Sequence, residues 1–344
     1  MTASADDERN TMQHNLGTVV LKSGERVEAA VIAAPDTAWA ERLKGFLAHK
    51  GEPWNWGNAE NLTKLTGVET FFYVLHRDGV PFSNIMTCEV NGVGHFGHVF
   101  TRPEDRRKGA CDKLMALQME HFRARGGRAL FLGTGFASPA YRIYACHGFQ
   151  GIEDKSGYME YYATTREEFE ASWFARAATE VEPLAMAHWP VLAPLLAGGF
   201  QGQVRCARFG IIGRSSGESH ILRALYEARR PIEGREQGAL VLRSRQSGAP
   251  VGFAACGSHP IWAECRLVDV FCHPDFWDRA GDLLASLPLP PSSHFIAYAD
   301  VGWTGKDHVL RRAGFRQTAV LARRAPQSSA KTAVIDVAVY ERET

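Results

Sequence analysis

The stretch that most constrains this chain is Val99-Phe100-Thr101-Arg102-Pro103-Glu104-Asp105-Arg106-Arg107-Lys108-Gly109-Ala110-Cys111. It reads as the end of a buried strand, a short turn carrying proline, and a basic glycine loop. A helix follows at once, with Cys111, Leu114, Met115, Met119 and Phe122 on its apolar side. The first N–H groups of such a helix have no intrahelical partner, and its dipole adds partial positive charge. Arg106, Arg107 and Lys108 add full charges, and Gly109 lets the backbone approach a ligand with no Cβ in the way. A strand feeding a helix through a loop of this kind is a seat for a phosphate.

The length of 344 residues suits two domains, and an apolar fraction of 45% excludes disorder over most of the chain. A net charge of +1 argues against a dedicated nucleic-acid binder, while a local basic loop still fits a small anion. The seven cysteines include no Cys-x-x-Cys pair, which points to reduced thiols and a cytoplasmic protein. No run approaches the roughly 18 apolar residues of a membrane span. Met1 to Gln13 is polar and acidic without a hydrophobic core, and is expected to be a loose tail and not a signal peptide. The histidines have no metal-ligand spacing, so no metal is expected.

Strands are expected at Arg26 to Ala34, Phe71 to Leu75, Asn84 to Val90 and His95 to Thr101, with turns at Arg77-Asp78-Gly79 and Asn91-Gly92. Thr37 to His49 patterns as an amphipathic helix, and Glu52 to Asn58 as an aromatic, polar loop. Ser138 caps a helix with Pro139 at its first position, running to Cys146. Thr165 to Ala178 looks helical. From about Val181 the order of elements repeats: Phe271-Cys272-His273-Pro274 matches Phe100-Thr101-Arg102-Pro103, and Ala313-Gly314-Phe315 matches His147-Gly148-Phe149. The expected class is therefore α/β (α+β), and the two halves read as a tandem repeat.

These motifs resemble the Gcn5-related N-acetyltransferase (GNAT) superfamily. Its cofactor motif, Arg/Gln-x-x-Gly-x-Gly/Ala, is matched by Arg106 to Cys111, with Cys111 replacing the usual last residue. Its second motif, Ala-x-x-x-Tyr-x-x-x-Gly-Phe, is matched by Ala140, Tyr144, Gly148 and Phe149, with Ser138 where Asn is usual. The resemblance implies two tandem domains, each a mixed, mainly antiparallel twisted sheet flanked by helices. Residues 1–15 would be a disordered tail, 16–164 the catalytic domain, 165–182 a helical connector, and 183–344 a degenerate copy. In that copy Asp275 to Gly281 lacks the glycine motif and Leu310 stands where Tyr144 does.

The resemblance further implies acetyl-CoA, or another acyl-CoA, as co-substrate. Amides of Arg107, Lys108, Gly109, Ala110, Cys111 and Asp112 would hold the pyrophosphate. Val99, Phe100 and Thr101 would pair with the pantetheine arm where two strands splay apart, and Ser138 and Tyr144 would flank the thioester. Tyr144 is the candidate acid. His95 is the candidate base, since period-2 alternation sets His95, Gly97, Val99 and Thr101 on one face, and Glu89 is the second choice. His98 has the wrong parity unless a bulge intervenes. Trp54 and Trp56 are candidates for the acceptor wall, and Arg142 and His147 are expected to be solvated. The implied activity is transfer of an acetyl or short acyl group to a primary amine of a small molecule, by a monomer or homodimer that binds neither nucleic acid nor membrane. Alternatives are a GNAT-fold enzyme using an acyl carrier protein or aminoacyl-tRNA or decarboxylating acyl-CoA, and a non-catalytic CoA-binding module.

Overall fold

Asp78-Gly79 and Asn91-Gly92 both hold two successive residues at positive φ, the geometry of the tight turns that favour Asn/Asp-Gly. They close hairpins between β3 (Glu69–Arg77) and β4 (Val80–Val90), and between β4 and β5 (Val93–Thr101). The computed structural model describes residues 15–229, 238–262, 264–290, 292 and 294–343. Of the expected tail, residues 1–15, all but Asn15 lie outside them, and Asn15 is the first residue of a strand.

Before these hairpins run β1 (Asn15–Val20), β2 (Arg26–Ala34), α1 (Thr37–Leu47) and α2 (Trp54–Thr63). After them come α3 (Ala110–Ala124), β6 (Ala129–Gly133), α4 (Pro139–Cys146), β7 (Gln150–Gly151) and β8 (Tyr158–Tyr162). The sheet has eight strands in the order β1-β2-β3-β4-β5-β6-β8-β7. Neighbours from β1 to β5 are antiparallel, and β5 pairs with β6 in parallel. β4 is buried along nearly its whole length, as a central strand covered on both faces must be. Asp36 caps α1 by accepting the amide of Trp39 at 2.9 Å.

The second half contains α5 (Arg166–Trp173), β9 (Thr179–Pro183), α6 (Ala193–Ala197), β10 (Val204–Cys206), β11 (Ile211–Ile212) and α7 (Glu218–Ala228). It continues with β12 (Gly238–Ser244), β13 (Pro250–Ser258), β14 (Cys265–Cys272), α8 (Ala280–Ala285), β15 (His294–Asp300), α9 (Thr304–Arg312), β16 (Arg316–Pro326) and β17 (Val334–Glu343). Its seven-stranded sheet runs β9-β12-β13-β14-β15-β17-β16, with β14 and β15 parallel. This is strand for strand the order β2-β3-β4-β5-β6-β8-β7 of the first sheet. The repeat read from short motifs is thus a repeat of topology. The structure is α+β: two mixed, mainly antiparallel sheets flanked by helices.

By compactness the chain forms two units. One comprises the chain up to Leu132 with Ser138–Gln150 and Glu160–Ala163; the other comprises Gly133–Ala137, Gly151–Met159 and the chain from Thr164 onward. The helix expected over Thr165 to Ala178 is shorter, Arg166–Trp173, closed at its start by a Thr165–Glu168 capping box. The chain then enters β9, a strand of the second sheet. The loop expected at Glu52 to Asn58 is instead the first part of α2. Its composition is poor for a helix, but Gly57, Asn58, Asn61 and Leu62 are buried, and tertiary burial overrides weak propensity.

In the second unit Arg205 is fully buried without a carboxylate partner among the described residues. Its guanidinium donates to the carbonyls of Leu195, Leu196, Gly198, Phe200 and Gly202 at 2.6–3.2 Å. One side chain therefore ties down the segment that leads into β10. Arg205→Leu would strip the donor from five main-chain oxygens. We expect a loss of about 3–5 kcal/mol in the urea unfolding transition of the second unit; a loss below about 1 kcal/mol would contradict this role.

Candidate functional site

Parallel pairing between β5 and β6 lasts only three residues: Val93↔Ala129, Gly94↔Leu130 and His95↔Phe131. Beyond His95 the strands part. On its other edge β5 stays paired to β4 but carries a bulge, since Met86 pairs with Gly97 and Asn84 with Phe100, leaving two residues opposite Ile85. His98 sits in this bulge at φ 51°. The expected alternation of His95, Gly97, Val99 and Thr101 on one face therefore breaks after Gly97, because a bulge adds one residue to the count.

The bulge turns His98 toward α2. Its Nδ1 lies 3.2 Å from the Asn58 amide nitrogen, and its ring meets Trp54 edge-on at 5.2 Å. With Asn58 donating, Nδ1 accepts and Nε2 carries the proton. Burial, reinforced by the charges of Lys50 and His49, pushes the His98 pKa down to about 3, so the ring is neutral at physiological pH. Trp54 joins this cluster, but Trp56 does not. Two residues on, Trp56 points about 200° away around the helix.

After β5 a short 3-10 turn, Pro103–Asp105, leads to α3. Gly109 caps α3 at φ 80°, and Arg107 is also left-handed at φ 64°. A Cβ on Gly109 would approach the Lys22 side chain to 3.2 Å. Among the described residues no acceptor engages the amides of Arg107, Lys108, Gly109, Ala110, Cys111 and Asp112; the first amide bonded back is Lys113, to the Gly109 carbonyl at 3.1 Å. Arg107, Gly109, Ala110, Cys111 and Asp112 line a cleft of about 400 Å³, together with Lys22, Thr101, Asp105, Arg106, Arg142, Ile143 and Cys146.

The three basic residues have different partners. Lys108 pairs with Asp105 at 2.9 Å, and Arg77 bonds the same carboxylate, holding it below the usual carboxylate range. Arg106 donates Nε to the Thr101 carbonyl at 3.1 Å, fixing the strand end. Arg107 makes no ion pair among the described residues and lines the cleft. Asp112 is answered by His147 at 3.0 Å. Burial raises the Cys111 thiol to about 11, so it stays protonated. The run of open amides, the bare Gly109 cradle and a cleft with Lys22, Arg107 and Arg142 fit a diphosphate. Lys22 and Arg142 were missed by motif reading: a β1–β2 turn delivers the first, and a helix face judged solvated carries the second.

The remaining candidates lie as follows. Tyr144 on α4 is buried against Phe96 at 5.1 Å and Phe149 at 6.4 Å. The Ser138 oxygen caps α4 by accepting the Tyr141 amide at 3.1 Å. His95 is fully buried at the last paired position before the strands part. Glu89 is fully buried too, accepting from Thr87 Oγ1 at 2.5 Å and from Arg125, at the end of α3, at 2.9 Å. Desolvation pushes the Glu89 carboxyl up against the pull of Arg125. Its neighbour Cys88 contacts Asn61 of α2. Successive strand residues face opposite ways, so Glu89 is on the α3 face and His98 on the α2 face.

The second unit repeats the parting and fills it differently. β14 and β15 pair only from Cys265↔His294 to Leu267↔Ile296. Beyond that point β10 packs on both strands. Asp300 accepts the amides of Gln203 and Val204 at 2.6 and 2.8 Å, and Asp269 accepts that of Ala207 at 2.6 Å. Lys306, fully buried, donates to the Val204 carbonyl at 2.9 Å and to Asp269 at 2.5 Å.

No protein-family model matches this sequence, and no curated protein matches it significantly. Among solved structures it is similar to an acetyltransferase of Salmonella typhimurium described as modifying the N-terminal serine of 50S ribosomal subunit protein L7/L12, at 12% identity and TM-score 0.37, over 49% of this chain and 96% of that one. An N-acetyltransferase from Staphylococcus aureus Mu50 matches at 13% identity and TM-score 0.37, over 48% and 99% of the two chains. A GNAT-family acetyltransferase from Streptococcus pneumoniae matches at 13% and TM-score 0.35, over 48% and 99%. Among the described residues no group of three or more His, Cys, Asp or Glu is placed to hold a metal, and no helix is long and apolar enough to cross a membrane.

The state of His98 is open to measurement. The unfolded chain takes up its proton near pH 6.5, the folded chain only near 3, so this group makes stability fall as pH drops through that window. Imidazole nitrogen shifts assigned to His98 are expected to stay those of the neutral ring from pH 8 to about pH 4. A titration step near pH 6 would refute the buried, Asn58-bonded arrangement.

Proposed function

We propose that the protein is an acyl-CoA-dependent N-acyltransferase whose first unit holds the acyl donor and joins its acyl group to a primary amine. The observation that carries this reading is the run of six unengaged amides, Arg107 to Asp112, of which all but that of Lys108 belong to residues lining the cleft that Thr101 reaches at the end of β5, beyond the point where β5 leaves β6. A diphosphate offers oxygens to such amides, and Arg107, Lys22 and Arg142 offset its charge. An extended pantetheine arm suits the unpaired edge of Val99, Phe100 and Thr101, as a strand suits a sheet edge.

The donor supplies an activated thioester. The amine nitrogen must lose a proton and attack its carbonyl carbon, the C–S bond must break, and the leaving sulfur must be protonated. Tyr144, on the helix that walls the cleft, is assigned the last task. His95, at the vertex of the parting, is assigned the first. Glu89 is given a positioning role, since its oxygens are committed to Thr87 and to Arg125 at the end of α3. His98, neutral and bonded to Asn58, belongs with Trp54 to the acceptor wall. The second unit is assigned no donor, because β10 lies where an arm would run.

Calorimetric titration of the full chain with acetyl-CoA is expected to give one site per chain. The double variant Arg107→Glu/Gly109→Asp is expected to bind more than about 100-fold more weakly, by setting acids against the diphosphate. No binding by the wild-type chain would end the proposal, and two equivalent sites would end the assignment of β10.

Tyr144→Phe is expected to keep CoA affinity and lower kcat by about 10- to 100-fold. His95→Gln is expected to lower kcat/KM at pH 7 and to recover as pH rises and the amine deprotonates by itself. Equal losses at every pH would remove His95 from the role of base.

A further inference from the structure

The second unit keeps a cleft at the place where the first unit has its donor cleft, with different chemistry. Trp277, Asp278, Gly281 and Asp282 follow Pro274 at the same steps as Arg106, Arg107, Ala110 and Cys111 follow Pro103. His308, Val309 and Arg312 precede Gly314-Phe315 at the same steps as Arg142, Ile143 and Cys146 precede Gly148-Phe149. All seven line one cavity of about 680 Å³, larger than the 400 Å³ of its counterpart. This is within the size range of small-molecule sites.

The wall that faced a diphosphate is altered. Acids stand where Arg107 and Cys111 are in the first unit. The amides that begin this segment are engaged: Asp275 bonds His273 Nδ1 at 3.3 Å, Phe276 the His273 carbonyl at 2.9 Å, and Ala280 the Trp277 carbonyl. The acids are themselves answered, Asp278 by Arg176 at 2.5 and 2.9 Å and Asp282 by Arg279 at 3.6 Å.

The opposite wall carries uncompensated positive charge. Arg312 and Arg342 line the cavity, and neither has a carboxylate partner among the described residues. Arg342 is held in place by its bond to the Ala313 carbonyl at 3.1 Å and by Phe295 and Phe315, whose ring centres lie 4.8 and 5.1 Å from its guanidinium carbon. Val268, Leu284 and Leu287 give the same cavity a buried apolar floor.

We propose that this cleft between α8 and α9 binds a small amphipathic carboxylate, its head on the Arg312–Arg342 wall and its apolar body on the leucine floor. A planar guanidinium matches a carboxylate in geometry as well as charge, and the apolar wall contributes in proportion to the area it buries. The cleft lies wholly within the second unit, so this site and the donor site of the first unit can fail independently.

Octanoate is the probe, titrated into the full chain and followed by calorimetry and by fluorescence of Trp277, with Trp277→Phe as the control for the signal. Saturable binding at one site with Kd below about 1 mM is expected. Octylamine, with the same tail and the opposite charge, is expected to bind at least about tenfold more weakly. Arg312→Glu is expected to cost octanoate at least about tenfold and Arg312→Lys less, with acetyl-CoA affinity unchanged in both. Gly281→Phe, whose Cβ meets nothing within 4 Å, is expected to fill the cleft and abolish octanoate binding in a folded chain. The site is refuted if octanoate does not saturate, if octylamine binds as well, or if Arg312→Glu and Gly281→Phe both leave octanoate affinity intact.

Discussion

Parallel pairing that stops after His95 is the constraint on which the first unit depends. A strand whose edge is unpaired exposes a row of N–H and C=O groups that something must satisfy. β5 leaves β6 after His95, the bulge at His98 follows on its β4 side, and the chain then crosses by way of α3, whose own first amides are unmatched. The edge of β5 that has left β6 and the unmatched start of α3 therefore meet where Thr101 lines the cleft. Arg106 holds the junction by bonding the last carbonyl of β5, and behind it Asp105 pairs with Lys108 and with Arg77, which Glu25 also answers.

The second unit answers the same topological problem with protein. Its strands part at the same place in the order, and β10 is seated there by two carboxylates and an ammonium, all buried or partly so. Burying Asp269 and Lys306 costs desolvation, which a short contact and further main-chain bonds offset. Arg205 adds the constraint that keeps the incoming segment folded. One architecture thus has an open groove in one copy and a self-filled groove in the other.

Much of this was legible beforehand because the signals were local. Asn91-Gly92 fixes a tight hairpin through its φ values, Ser138-Pro139 starts a helix through a cap and a preset φ, and Gly109 is needed where α3 begins at φ 80°. The basic loop and the repeated order of elements followed from such signals. The helix α2 did not, since its stabilisation comes from burying Gly57, Asn58, Asn61 and Leu62 and not from its own propensities. Nor did the two tryptophans separate on paper: helical phase sends Trp54 to His98 and Trp56 elsewhere.

By itself, the sequence determined the class of fold, the hairpins, the starts of α1 and α4 and the basic glycine loop before α3, because each rests on residues adjacent in the chain. Only the tertiary structure decided which histidine faces α2, that Glu89 is bound to Arg125, that Lys22 and Arg142 share the cleft with Arg107, and that β10 fills the second groove. Those outcomes depend on a one-residue bulge and on partners up to about a hundred positions apart, such as Gln203 and Asp300. Periodicity carries no information about contacts at that range, since they are fixed by packing and by the need to satisfy every buried polar group.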